Sequence, residues 1–322
     1  MGFFKSLFGG KKQPTPEELE QQKEKNFDIL KFDGMKASRM GQLSYAIKCY
    51  SEALALKEDY NTRLYLAQTY MALQENPLAL AQLQKLIEMD KENIESYVMV
   101  AQVAENMKDW QAMNEACEKA LLIDETRADI YYYCGEAYHG LEDDISAIAM
   151  LTKSITLDKN QKNAYMLRCQ ILKEMAQFAE AEKDADKLIE LDPENEIYIL
   201  NKAEILSVSN TEAALEYCQK AIEQNGFLDE AYLLANHIYV SQQQYDKALS
   251  LLNDAIEINP NFAKAYMERG NVKMLLGKND EAAEDLKKGL ELEPKEGEAI
   301  NGNFTNIEQE MNAQYRANNP FG

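Results

Sequence analysis

Two histidines, His139 and His237, five cysteines and one acidic triplet are the residues of this 322-residue chain best suited to chemistry. Nucleophilic or general-base catalysis needs such groups to converge on one point. The histidines lie about three repeat lengths apart, and in a stack whose units touch only their neighbours they do not meet. The cysteines Cys49, Cys117, Cys134, Cys169 and Cys218 include no CxxC pair, and no HxxxH spacing is present, so a metal site is not expected. Glu142-Asp143-Asp144 lacks the glycine and the alternation of a calcium loop and reads as a solvated turn. Gly9-Gly10-Lys11 lacks the strand and spacing of a phosphate loop. The expectation is no catalytic residue, no cofactor and no metal.

Composition narrows the class further. The net charge is −21, from 34 Lys+Arg against 55 Asp+Glu. Nucleic-acid affinity needs clustered cations, so nucleic acid is excluded as a partner, and basic or apolar protein segments are favoured. Only 14 Gly and 7 Pro occur, which points to helix. An odd cysteine count in a long chain suits reduced thiols rather than a secreted disulfide framework. Lys5 and Ser6 interrupt the apolar start, so a secretory signal is not expected. No apolar run reaches the length of a membrane span. The expected location is cytoplasmic, with a peripheral membrane position as the alternative.

The elements that carry these residues repeat. Tyr97, Tyr131, Tyr165, Tyr198, Tyr232 and Tyr266 recur at intervals of 34, 34, 33, 34 and 34. Sixteen places after each stands Met113, Ala147, Ala181, Ala214, Ala248 or Ala282. The frame extends back through Arg63 with Ala79 and Leu30 with Ala46. Units are expected at 27–59, 60–93, 94–127, 128–161, 162–194, 195–228, 229–262 and 263–296. Within 229–262, Ala231, Tyr232, Ala235, Ile238 and Tyr239 form one helical stripe. Tyr245, Ala248, Leu249, Leu252, Ala255 and Ile256 form a second, which Asn259-Pro260 ends. Gly34, Ala67, Ala101, Gly135, Cys169 and Gly270 are small residues where two helices cross closely. Lys202, Asn236 and Met113 break that pattern, so wider or shifted crossings are expected there.

These residues resemble the tetratricopeptide repeat family. Tyr131–Gly135 and Tyr266–Gly270 match its Tyr-x-x-x-Gly, and Tyr245-Asp-Lys-Ala-Leu with Asn259-Pro260 matches its second helix. The resemblance implies an all-α, right-handed superhelical solenoid of about eight helix–turn–helix repeats over 16–296, whose first helices line a concave groove. It implies protein binding without catalysis, at exposed places one, five and eight residues after the aromatic. Carried over, the first row is Leu64, Val98, Tyr132, Met166, Ile199, Leu233 and Met267. The second is Gln68, Gln102, Glu136, Gln170, Ala203, His237 and Asn271. An apolar row beside an amide-rich row suits an extended or helical partner segment. The family's two-carboxylate clamp is incomplete: Met35 and Tyr65 stand where Asn is needed, and Glu268 replaces an Arg beside Lys264. An acidic chaperone tail is therefore disfavoured.

The ends differ from the array. Thr15-Pro16-Glu17-Glu18 is a helix start with cap and capping box, and the helix is expected to reach about Met40. Ile300, Phe304, Ile307, Met311 and Tyr315 predict a capping helix and tail over 297–322. Residues 1–15 form a basic, apolar tail. Phe3, Phe4, Leu7 and Phe8 share one helical face, with Lys5, Lys11 and Lys12 near it. Three readings stay open for the tail: a tether on a membrane surface, a plug for a groove, or no role. The function expected is a scaffold that grips a partner's peptide or helix. The alternative is a membrane-associated assembly factor tethered by residues 1–12.

Overall fold

The computed structural model describes residues 15–292. The N-terminal face of Phe3, Phe4, Leu7, Phe8, Lys11 and Lys12 and the C-terminal capping helix lie outside the described residues. The described residues form sixteen helices and no strand, an all-α helical repeat solenoid built from eight helix pairs. Two units are distinguished, meeting at Leu167 and Arg168.

The first unit holds α1 (Pro16–Arg39), α2 (Leu43–Leu56), α3 (Tyr60–Ala72), α4 (Asn76–Met89), α5 (Ile94–Met107), α6 (Trp110–Ile123), α7 (Ala128–Gly140) and α8 (Asp144–Leu157). The division falls within α9 (Lys162–Glu174). The second unit continues with α10 (Phe178–Leu191), α11 (Glu196–Leu206), α12 (Thr211–Gln224), α13 (Asp229–Ser241), α14 (Tyr245–Ile258), α15 (Ala263–Leu275) and α16 (Asn279–Leu292). Thr15 caps α1 with its side chain on the Glu18 N–H, and Glu18 returns the bond. Asp59, Asn93, Asp109, Asp143, Asn195 and Asn210 cap later helices through their side chains. Each cap satisfies backbone donors that a helix start leaves open.

Short side chains let the paired helices approach. A Cβ on Gly34 would stand 2.5 Å from the Tyr50 ring, and one on Gly135 would stand 2.6 Å from Leu151 Cγ. Gly270 meets Leu286 in the same way, at 2.8 Å. Met113 is fully buried and shares a cluster with Ala101, so a larger residue on one helix faces a small one on its partner. Arg63, in the aromatic column, is buried through ion pairing with Glu58 and a bond to Gln82.

The turns between paired helices share one conformation. Gly41, Gln74, Lys108, Glu142, Ala176, Gln243 and Gly277 all adopt positive φ, between 55° and 74°. The sixth pair has no such residue. Its α11 stops at Leu206, and Ser207 to Asn210 make the turn. At 11 residues α11 is shorter than α9 and α13, at 13 each, and its turn is longer, so helix and turn together fall one residue short, which corrects the register read from the tyrosines. Ile199, not Tyr198, stands three places into its helix, as Tyr165 and Tyr232 do in theirs. Ala203 then occupies the crossing, fully buried. Lys202 does not break the crossing: it lies one place earlier and bonds Glu182 and Asp186.

Candidate functional site

The candidate rows lie on the first helices of the pairs, and each unit carries its own stretch. In the first unit, α3, α5 and α7 present Leu64 and Gln68, Gln102, and Tyr132 with Glu136, and Met166 follows on α9. Gln68 is exposed and the others are half-buried. Val98 is different. It is 7% exposed within the cluster of Tyr97, Ala101 and Ile130. It has the shortest side chain of its row and is core rather than lining.

The α5–α7 stretch is more polar than the rows suggested. Gln102 Nε2 donates to the Tyr133 hydroxyl at 2.9 Å, and the Tyr132 and Tyr133 rings lie 5.5 Å apart. Burial, and then the Glu105 carboxylate beside it, push the Glu136 carboxyl up to about 7. Burial and the neighbouring Glu136 and Glu105 charges push the Tyr132 phenol well above its usual range. Glu136 Oε2 is covered and has no hydrogen-bond partner. Glu105 was missing from the two rows carried over. It stands eight places after Tyr97, in the third row that the resemblance specifies.

In the second unit, Gln170 and His237 are exposed, and Leu233, Met267 and Asn271 are half-buried. Gln170 Nε2 donates to Glu174 at 3.0 Å. His237 Nε2 lies 3.7 Å from Glu268 Oε1, and the buried Asn236 donates to Glu268 Oε2 at 3.1 Å. Ile199 is 4% exposed because the corrected register moves it into the buried column. Ala203 leaves the lining for the same reason. The place five residues on belongs to Glu204, which is exposed and paired with Lys173 Nζ at 2.6 Å. No sequence spacing distinguished Tyr198 from Ile199, since both are large and apolar.

His139, Asp143 and the cysteines have structural roles. His139 Nδ1 bonds Asp144 at 2.8 Å, and Asp143 caps α8. All five cysteines are buried and none forms a disulfide. Burial pushes the Cys169 thiol to about 11 and the Cys218 thiol to about 12. A hydrogen bond with the Cys134 thiol, then burial, raises Cys117 further. Neutral thiols are poor nucleophiles and metal ligands. Among the described residues, no group of three or more His, Cys, Asp or Glu could hold a metal ion. No helix among them is long and apolar enough to cross a membrane.

Comparisons with known proteins agree with this architecture. One family model, described as tetratricopeptide repeat, matches residues 163–195 and 263–296, and another, described as TPR repeat, matches 237–277. No curated protein matches the sequence. A tetratricopeptide repeat protein from Parabacteroides merdae ATCC 43184 is similar at 15% identity, with a TM-score of 0.57, over 83% of this chain and 99% of that one. The pilF protein of Pseudomonas aeruginosa is similar at 15% identity, with a TM-score of 0.53, over 65% and 96% of the two chains. MamA is 26% identical over 53% of this chain and 93% of its own, with a TM-score of 0.46. At these identities the first two likenesses concern the fold. With a repeating helix pair, small residues at the crossings and these family-model matches, residues 163–195 and 237–296 carry tetratricopeptide repeats.

Proposed function

We propose that this protein is a non-catalytic adaptor that holds a peptide or helix of a partner protein on the face of its first helices. The observation that supports this is the line of Leu64, Tyr132 and Met166 beside Gln68, Gln102 and Glu136, repeated as Leu233 and Met267 beside His237 and Asn271. Apolar side chains supply contact area, and amide and carboxylate groups bond the polar backbone of a guest. Met fits irregular partner surfaces. Glu105 and Glu136, in a chain of net charge −21, favour a guest that is basic or apolar over an acidic tail. Buried, reduced thiols suit a cytoplasmic setting.

The test is affinity capture from the native organism with quantitative mass spectrometry. Wild type is compared with a Leu64→Asp/Met166→Asp/Leu233→Asp/Met267→Asp variant of equal helicity and melting temperature. Val98 and Ile199 stay unchanged, because charging a buried residue unfolds the protein instead of testing the face. Loss of specific partners from the variant alone supports the adaptor. Identical partner lists would remove this face as the binding site.

A further inference from the structure

The first helix pair leaves uncovered a face that later pairs seal, except the sixth, where Tyr198 in this place is half-buried. The residue one place before the aromatic column is 0–1% exposed at Thr62, Ser96, Ile130, Ala231 and Ala265. The second helix of the preceding pair covers it: Ile130 clusters with Ala120 of α6, and Ala265 with Ala255 of α14. Ile29 holds the same place in α1 and is 48% exposed. Phe32, three residues on, is 66% exposed, whereas Tyr65, Met99 and Tyr133 are half-buried in that place. Beside them lies a cleft of about 520 Å³ lined by Asn26, Ile29, Leu30, Glu52, Ala55 and Leu56. The end of a stacked array needs a cover for such a face.

We propose that the chain's own residues 3–8 dock on this face, where Phe3, Phe4, Leu7 and Phe8 take the place of the missing second helix. Reach permits it. Thr15 to Ile29 spans about 21 Å of helix at 1.5 Å per residue, and the seven residues from Phe8 to Thr15 extend to about 23 Å. Charge favours it as well. Residues 1–14 carry Lys5, Lys11 and Lys12 and no acid, while the adjoining stretch of α1 exposes Glu17, Glu18, Glu20, Glu24 and Asp28 against Lys23 and Lys25. A basic segment therefore folds back along an acidic helix, with its apolar face on Ile29 and Phe32. The docking closes the start of the array and withholds the same four apolar side chains from other surfaces.

Hydrogen exchange of the full chain tests this, comparing wild type with Phe3→Ser/Phe4→Ser/Leu7→Ser/Phe8→Ser. Docking predicts exchange about fivefold slower over residues 26–36 in wild type, with the same mass by light scattering for both. A second variant, Phe4→Cys/Phe32→Cys, is predicted to oxidise to a disulfide within one chain, while Phe4→Cys/Ile145→Cys does not. Equal exchange in both proteins overturns the proposal. So does a Phe4→Cys/Phe32→Cys disulfide formed only between chains, which makes a second copy the occupant. Protection that arises only with vesicles of phosphatidylcholine and phosphatidylserine also overturns it and makes a membrane the target.

Discussion

Arg168 on α9 grips Asp184 on α10 with two prongs, Nε to Oδ2 at 2.8 Å and Nη2 to Oδ1 at 2.6 Å. The same arrangement recurs between Arg269 on α15 and Asp285 on α16, where Lys273 Nζ adds a contact at 2.8 Å. Both pairs tie the first helix of a repeat to its second. Asp184 is only 3% exposed, so Arg168 supplies the hydrogen bonds that water cannot. Removing one member of such a pair strands the other, at a cost of about 3 kcal/mol. Asp184→Ala is expected to lower stability by that amount, measured by urea unfolding of the full chain. Arg168→Met/Asp184→Leu, which removes both charges, is expected to cost less than half as much. Equal losses in the two variants would show that volume rather than charge matters here.

Glu136 makes stability depend on pH. Its folded-state value, about 7, lies above the ordinary 4.5. A raised carboxyl contributes stability fully below about 4.5, and that contribution fades as pH rises through about 7. Because the side chain is only partly buried, solvent screening reduces the effect to about 1 kcal/mol. Glu136→Gln is therefore expected to be more stable than wild type at pH 8 and to converge with it near pH 4. Thermal melting across that range is the measurement. Parallel curves would remove Glu136 as the titrating group.

The left-handed turns predict opposite effects at two positions. Ala176 holds φ +57° with a Cβ that penalises this region, while Gly277 sits at +74° with open space around it. Gly277→Ala is expected to cost about 1 kcal/mol. Ala176→Gly is expected to gain up to about 1 kcal/mol, reduced by the greater freedom of glycine in the unfolded chain. Shifts of the same sign in both melting temperatures would contradict the argument.

The crossing glycines predict steric intolerance. A methyl on Gly135 would press on Leu151 and lie 3.3 Å from the Ala147 carbonyl oxygen. Gly135→Ala is expected to cost about 1–3 kcal/mol. Leu151→Ala added to it should recover little, because the backbone contact stays. Chemical denaturation of the three proteins checks this, and a neutral Gly135→Ala would show that the helices shift apart freely.

Much of this architecture was legible in the residues alone. The period of about 34, the alanine sixteen places on and the turn residues determined which segments became helices and which faces became core. Thr15-Pro16-Glu17-Glu18 determined where α1 starts, because a cap acts through bonds within three residues. Packing decided the rest. The 33-residue interval between Tyr165 and Tyr198 showed that one residue was missing, but not where along the pairs it was lost. A one-residue slip turns a helix face by about 100°, so this choice moved Ile199 into the core and Lys202 off the crossing. Val98 became core because its neighbours reach past it. Glu105 met Glu136 because adjacent first helices align. Such outcomes depend on contacts between helices distant in sequence, which a local periodicity does not contain.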